Sequence, residues 1–191
     1  MTKLGNLVVG RKNEITIMGI LNISPESFYK NSVKTTKYQI SKSLLEMEEN
    51  GANIIDIGGM SSAPYLKTIV SEKIESERIT KTIKIIQNLS NIPISVDTCR
   101  ASVANHALEL GVDVINDISG LKYDKSMPKI IEKYNPSLIL CSYGNKLVKG
   151  NSILETKKLL NQSIKIAQNA GISKNKIVID PAIGFFRRSS D

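Results

Sequence analysis

The chain has 191 residues, of which 41% are hydrophobic, and a formal net charge of +8. A domain of this length hides roughly 70% of the surface that its unfolded chain exposes, so it can form a full hydrophobic core. No apolar run approaches the ~18 residues of a membrane-spanning helix, and the scattered lysines lack the interleaved aromatic residues that are typical of nucleic-acid-binding surfaces.

The cysteines and the amino terminus indicate the compartment. Cys99 and Cys141 lie far apart and predict no disulfide framework. The first residues lack the long apolar stretch of a secretory signal. We therefore expect a soluble, cytoplasmic protein. Its positive charge is compatible with the steering of a small phosphorylated substrate, but we favour the simpler interpretation of a lysine-rich surface.

Apolar runs typical of strands alternate with helical patterns along the chain. Helices are predicted at about 37–50, 71–89, 101–110, 127–134 and 152–170. Strands are predicted at 15–21, 53–57, 94–96, 112–115, 137–141 and 176–179. Thr36 is placed to cap the first helix, and glycines at 51, 111 and 171 are placed to end three helices. This alternation is typical of a parallel α/β fold.

Polar side chains end the predicted strands. These residues are Asn22, Asp56, Asp97, Asn116 with Asp117, and Asp180. The carboxyl ends of parallel strands share one edge of the sheet, where α/β folds bind their ligands. Carboxylates and amides can recognise the donors and acceptors of a planar heterocycle. We predict a ligand site at this edge, although any one of these residues could equally cap a helix or brace the rim.

Several other chemistries are disfavoured. The single histidine, His106, falls within a predicted helix, so no histidine-based metal cluster or catalytic triad can be assembled. Cys99 has no plausible base and is interpreted as a small buried residue. Asp56 precedes two glycines and has a mainly structural interpretation. The following loop, with Ser61 and Ser62, could approach an anion but carries no P-loop lysine.

Five segments in order resemble the motifs of the dihydropteroate synthase family, the pterin-binding barrels of folate biosynthesis. They are MGILNISPESF (18–28), GANIIDIGGMSSAP (51–64), ISVDT (94–98), GVDVINDISG (111–120) and VIDPAIGF (178–185). Each motif alone is weak. Together, in this order and at this spacing, they are specific, and they cover nearly the whole chain from Ile15 onward.

The resemblance implies a fold and a reaction. The fold is an α/β barrel of the (β/α)8 TIM type, and the reaction condenses 6-hydroxymethyl-7,8-dihydropterin pyrophosphate with 4-aminobenzoate and releases pyrophosphate. It also implies that Asp97, Asn116 and Asp180 bind the pterin ring and that Asn22 meets the Mg²⁺ accompanying the pyrophosphate. Ser62 takes the place of a substrate-binding threonine, residues 24–28 belong to a mobile first loop, and a homodimer is expected from the family alone.

The sequence also departs from the family pattern. In the second loop, Ala63 replaces an arginine, which removes a bidentate anion donor. The other replacements in this loop are Met60, Ser62 and Tyr65 for glutamate, threonine and glycine. In the sixth motif, Ala182 stands in place of glycine and 186–187 in place of Gly-Lys.

The family's Ser-Arg-Lys and Arg-x-His motifs of strands seven and eight have no counterpart in the sequence. We therefore expect a single barrel domain over 1–191, with about six β/α units and an incomplete carboxyl-terminal part. Two alternatives remain beside the synthase. One is a pterin-dependent methyltransferase that serves a corrinoid, and the other is a non-catalytic pterin-binding subunit. Mg²⁺-dependent binding of the pterin pyrophosphate distinguishes the synthase from the methyltransferase.

Overall fold

A computed structural model of the chain describes residues 1–10, 14–25, 34–60, 70–142 and 152–183. Its strands are β1 (Thr2–Leu4), β2 (Leu7–Val9), β3 (Met18–Asn22), β4 (Ile54–Gly58), β5 (Ile94–Asp97), β6 (Val114–Asp117), β7 (Ser137–Cys141) and β8 (Ile177–Asp180). Its helices are α1 (Lys37–Glu49), α2 (Glu72–Gln87), α3 (Ala101–Glu109), α4 (Met127–Tyr134) and α5 (Ser152–Asn169). None of the helices in these ranges combines the length and apolar character required to cross a membrane.

One parallel sheet organises the fold. Its six strands follow one another in the order β3 to β8, and each pairs with the next in parallel. Helices connect the strands, as parallel pairing requires. Within the described residues, β3 and β8 do not pair with each other, so the sheet is an incomplete barrel.

The two faces of the sheet bury different residues because successive side chains of a strand point to opposite faces. The outer face packs under the helices and contributes Leu21, Ile55, Ile57, Val96 and Ile115, all fully buried. The inner face contributes a smaller apolar cluster, which consists of Leu4, Ile54, Val114 and Ile139. Polar residues occupy the inner positions nearer the carboxyl ends of the strands, so the site forms on this face.

A hairpin of β1 and β2 closes the amino-terminal end of the inner face. Leu4 is buried against Ile54 and Val114, and the backbone N–H of Gly5 donates to Ser137 Oγ at 3.1 Å. These two strands are not among the six that the sequence predicts. Strands of three residues carry too little periodicity to be recognised from their pattern.

Helix boundaries agree with the prediction within about three residues, and the end signals act as expected. Thr36 accepts a hydrogen bond from the Gln39 backbone in a capping box. Glycines 51, 111 and 171 all have positive φ angles. The start of the first barrel strand was predicted wrongly, since Ile15 is 89% exposed and lies outside β3. Pairing with β4 begins only at Met18, so the earlier residues have no partner strand.

Candidate functional site

Four residues lie side by side at the carboxyl ends of neighbouring strands. Register pairs Asn22 with Gly58, Gly58 with Asp97, and Asp97 with Asn116. Paired residues point to the same face, and neighbouring strands are ~4.8 Å apart. These residues, which we name the polar row, therefore present three polar side chains to the inner face. The structure thus brings together Asn22, Asp97 and Asn116, which the sequence placed at one edge.

Asp180 reaches the inner face from β8. In register, Asn116 pairs with Ile139 and Ile139 pairs with Val178, so Val178 lies on the inner face. Asp180 is two residues further along β8 and therefore lies on the same face, nearer the carboxyl edge. Its Oδ1 accepts a hydrogen bond from the backbone of Ala182 at 2.8 Å. Ala182 has a φ of 63°, in the left-handed region that costs an L-residue roughly 1–2 kcal/mol. This backbone conformation explains why the family pattern has glycine at this position.

Asp56 joins the polar row through a hydrogen bond across the sheet. Asn116 Nδ2 donates to Asp56 Oδ2 at 3.0 Å. Strand β5 lies between the strands of these two residues, so the bond spans a whole strand. Such a contact requires a strongly curved sheet. Asp56, which the sequence suggested was mainly structural, is therefore in direct contact with a predicted site residue.

The environment of Asp56 is unfavourable for a charge. The side chain is 4% exposed, and burial raises its pKa, while the polar side chains of Ser95 and Asn116 lower it to a smaller extent. Within the described part of the chain, Asp56 Oδ1 and Ser95 Oγ make no hydrogen bond of accepted geometry. Ser95 pairs with Asp56 in register, so both side chains lie on the inner face, two residues nearer the amino ends of their strands than the polar row.

Asp117 has a different role from its neighbour Asn116. Consecutive strand residues face opposite sides, and Asp117 is fully buried on the outer side. Its carboxylate accepts hydrogen bonds from the backbones of Ser119 at 2.7 Å and Leu121 at 3.0 Å. Asp117 therefore builds the turn after β6. The sequence could not separate it from Asn116, because both follow the same apolar run.

A buried ion pair between α2 and the segment after β5 holds the end of β5, and with it Asp97 of the polar row, in place. Glu75 on α2 is fully buried and accepts hydrogen bonds from Arg100 Nη1 at 2.7 Å and Thr98 Oγ1 at 2.8 Å. Burial raises the pKa of Glu75, and the Thr98 and Arg100 contacts oppose the shift. Thr98 directly follows Asp97, so the pair fixes the end of β5 against α2. The network is not recognisable in the sequence, because Thr98 and Arg100 are 23 and 25 residues away from Glu75.

Cys99 is an unreactive thiol. Burial, together with the nearby carboxylates of Asp117, Glu75 and Asp97, raises its pKa to about 12. A thiol with such a pKa stays protonated at neutral pH and is a poor nucleophile. Cys99 is only partly buried, whereas the sequence predicted a small buried residue.

The polar row offers oxygen atoms that suit a magnesium ion. A Cβ atom on Gly58 would stand 3.1 Å from Asn22 Oδ1 and 4.0 Å from Asp97 Oδ2, so the glycine keeps the space beside both oxygens free. In the part of the chain that the structure describes, no group of three or more His, Cys, Asp or Glu side chains could hold a metal. Mg²⁺ commonly takes only one or two protein ligands when substrate phosphates supply others. The residues present fit such a substrate-borne ion.

Some predicted residues lie outside the described ranges. Ser62 and Ala63 are in the segment 61–69, most of the first loop is in 26–33, and the Arg187 region is in 184–191.

Comparison with known proteins places this fold and site in one class. The profile of the family described as "Pterin binding enzyme" matches residues 18–191, and the chain belongs to this family. Within it, the relatives are dihydropteroate synthases, and one from Clostridium beijerinckii is 39% identical over 183 residues, which cover 96% of this chain and 68% of that protein.

Solved structures agree. The dihydropteroate synthase of Clostridium difficile, determined in the presence of pteroic acid, superposes with a TM-score of 0.80 at 33% identity, covering 97% of this chain and 68% of that one. The enzyme of Xanthomonas albilineans with 4-aminobenzoic acid gives 0.77 at 28% identity, covering 92% and 63%. The chain thus spans about two thirds of the length of these proteins. The family resemblance and the α/β barrel class expected from the sequence are confirmed.

The raised pKa of Asp56 predicts a pH dependence of stability. The folded protein holds this proton more tightly than the unfolded chain, whose pKa is near 3.8. The resulting stabilisation is complete below that pH and is lost as pH rises through the folded-state pKa. As pH rises from the unfolded-state pKa to the folded-state pKa of Asp56, the wild-type free energy of unfolding should therefore fall relative to that of an Asp56→Asn variant. The fall should be at most about 1.4 kcal/mol per pH unit.

Urea unfolding of both proteins at several pH values measures this difference. A Ser43→Ala variant removes another buried polar group, on α1, and should keep the wild-type pH slope. Parallel pH profiles for wild type and Asp56→Asn would contradict the assignment.

Proposed function

We propose that the protein is a dihydropteroate synthase, a transferase of folate biosynthesis that joins 6-hydroxymethyl-7,8-dihydropterin pyrophosphate to 4-aminobenzoate. The observation that carries this proposal is the polar row with Asp180, at the carboxyl edge of a barrel of the pterin-binding family. The names of the relatives and the pteroic acid and 4-aminobenzoic acid of the solved structures support it.

Asp97, Asn116 and Asp180 would bind the pterin ring. Their carboxylate and amide oxygens accept hydrogen bonds, and the pterin carries N–H donors on one edge. Each side chain lies on the inner face, above the apolar floor that the hairpin closes. A flat ring resting on this floor would therefore meet the polar groups with its edge.

The same groups assist the reaction. The bond between the exocyclic carbon and the pyrophosphate oxygen breaks, and pyrophosphate leaves with the electron pair. Positive charge then develops on the pterin, and acceptor and carboxylate groups beside the ring stabilise it. The nitrogen of 4-aminobenzoate forms the new bond to the same carbon and loses a proton, which needs no strong protein base.

Mg²⁺ belongs to this proposal as the partner of the pyrophosphate. Asn22 would hold it, since its Oδ1 borders the space left free by Gly58. When bound, the ion would neutralise charge on the departing pyrophosphate. Ser62, in the second loop, would contact substrate in place of the family's threonine.

We also propose that 1–191 forms part of one barrel domain, completed by further β/α units. The exposed apolar side chains of Ile20 on β3 and Ile179 on β8, which are 51% and 50% exposed, support this, because they lie on the two edge strands of the described sheet. A homodimer and a cytoplasmic location are part of the same proposal, the latter in keeping with Cys99 and Cys141, which form no disulfide bond with each other.

The intact mass of the natural polypeptide tests barrel completion. We expect a mass above 21.0 kDa, with the additional residues carrying the Ser-Arg-Lys and Arg-x-His motifs. A natural product of 21.0 kDa would contradict completion by the same chain and would favour a pterin-binding subunit.

Activity tests the function. The natural polypeptide should form dihydropteroate from the two substrates, and chelation of Mg²⁺ should abolish product formation. An Asn22→Ala variant should require a higher Mg²⁺ concentration for half-maximal rate. Pterin binding without Mg²⁺-dependent binding of the pyrophosphate would instead favour the methyltransferase, and pterin binding without any product would favour the non-catalytic subunit motivated by Ala63.

Asp97→Asn should weaken binding of pteroic acid. A hydrogen bond to a charged group contributes about 1.5–3 kcal/mol, so affinity should fall roughly ten- to hundredfold. Titration calorimetry of wild type, Asp97→Asn and Glu109→Gln measures this, since Glu109 is an exposed carboxylate on α3. Equal affinity of wild type and Asp97→Asn would exclude Asp97 from the pterin site.

A further inference from the structure

The buried pair of Asp56 and Asn116 suggests a functional role for Asp56, whose interpretation from the sequence was mainly structural. We propose that Asp56 is a positioning residue that sets the ligand specificity of the polar row, by turning the Asn116 amide so that its oxygen faces the ligand. This inference rests on the proposed function. It adds that the site accepts only a heterocycle with an N–H donor opposite Asn116.

The hydrogen bond fixes the orientation of the amide. Asn116 Nδ2 donates to Asp56 Oδ2 at 3.0 Å. A carboxylate can only accept, so the nitrogen of the amide must face it. A proton taken up by Asp56 would bind Oδ1, which makes no hydrogen bond of accepted geometry within the described residues, because Oδ2 already accepts from Asn116. In either protonation state Oδ2 remains an acceptor, and Asn116 Oδ1 is directed away from Asp56.

Neither neighbour of Asp56 in register takes over this role. They are Ile20 on β3, which is apolar, and Ser95 on β5, whose Oγ makes no hydrogen bond of accepted geometry with a described residue. The register partner of Asn116 itself is Asp97, which the proposed function assigns to the ligand. Without Asp56, the Asn116 nitrogen loses the acceptor that fixes it, and the amide could present either its oxygen or its nitrogen to a ligand.

The fold itself does not account for a carboxylate at this position. Asp56 is 4% exposed on the inner face, while the residue before it, Ile55, packs in the apolar core on the outer face. Burial of an incompletely bonded carboxyl group is unfavourable for folding. An unfavourable buried carboxyl beside a predicted binding residue is typical of a functional site.

With this orientation of the Asn116 amide, the three binding side chains of the site all offer hydrogen-bond acceptors to the ligand. Asp97 and Asp180 offer carboxylate oxygens, and with Asn116 Oδ1 they form three hydrogen-bond acceptors on one inner face. A ligand that places N–H donors against all three is an amino-substituted nitrogen heterocycle. An analogue with a carbonyl oxygen in place of the amino group would place an acceptor against an acceptor, which binding sites reject strongly.

Two ligands and four proteins test the proposal. The ligands are pteroic acid and its analogue with an oxo group in place of the 2-amino group, and their affinities are measured by titration calorimetry on the natural polypeptide. In wild type, the amino compound should bind at least tenfold more tightly than the oxo analogue. Asp56→Leu, which has similar shape but no acceptor, should bind pteroic acid about tenfold more weakly and lose most of the preference.

Two further variants separate orientation from stability. Asp56→Asn keeps a polar side chain of similar shape but can present either its carbonyl oxygen or its amide nitrogen to Asn116, so it should retain only part of the wild-type preference. Thr82→Ala removes a buried hydroxyl on α2 that donates to the backbone carbonyl of Arg78, and it should leave the preference unchanged.

If Asp56→Leu does not fold, amide-proton exchange in the wild-type protein still tests the proposal. The side-chain amide protons of Asn116, assigned by NMR, should exchange with solvent much more slowly than those of the exposed Asn88. Fast exchange, or an unchanged preference in folded Asp56→Leu, would overturn the role of Asp56 and leave the synthase proposal standing. Failure of the wild-type natural polypeptide to bind pteroic acid would overturn both.

Discussion

The parallel register of β3 to β6 is the constraint on which the site depends. It aligns Asn22, Gly58, Asp97 and Asn116 on one face, although they come from four separate parts of the sequence. A slip of one residue in any strand would turn its inner side chains outward. The apolar residues that alternate with them, such as Ile57 and Val96, are fully buried under the helices and oppose such a slip. The outer core therefore determines the geometry of the inner site.

The sheet separates two kinds of polar group. On the outer face, Glu75 and Arg100 pair within hydrogen-bonding distance, and their charges offset each other. Such a pair fixes the structure but has little capacity left for a ligand. On the inner face, Asn116 is a neutral amide that donates to Asp56, and its Oδ1 is directed away from that carboxylate. This difference distinguishes the groups that hold the barrel together from those that can recognise a substrate.

Much of this organisation could be predicted from the sequence. Alternating apolar runs and helical periodicity located all six barrel strands, and strand ends located Asn22, Asp97, Asn116 and Asp180 on one edge. The pairing of Asp56 with Asn116 could not be predicted, because they are 60 residues apart and meet only through the curvature of the sheet. The outward direction of Asp117 depends on strand register, which the sequence does not specify. The roles of the strand-end residues in binding, including that of Ser62, stay predictions.

The amino-terminal hairpin has a consequence for the order of folding. The bond between Gly5 and Ser137 joins residues 132 positions apart, and Leu4 packs on strands from the first and second halves of the chain. Contacts between such distant residues form late, because the intervening loop must first be closed. The hairpin, which is synthesised before the strands on which it docks, is therefore among the last parts of the fold to reach its final place. Until β7 has emerged and paired, the short strands at the amino terminus have no complete surface on which to dock.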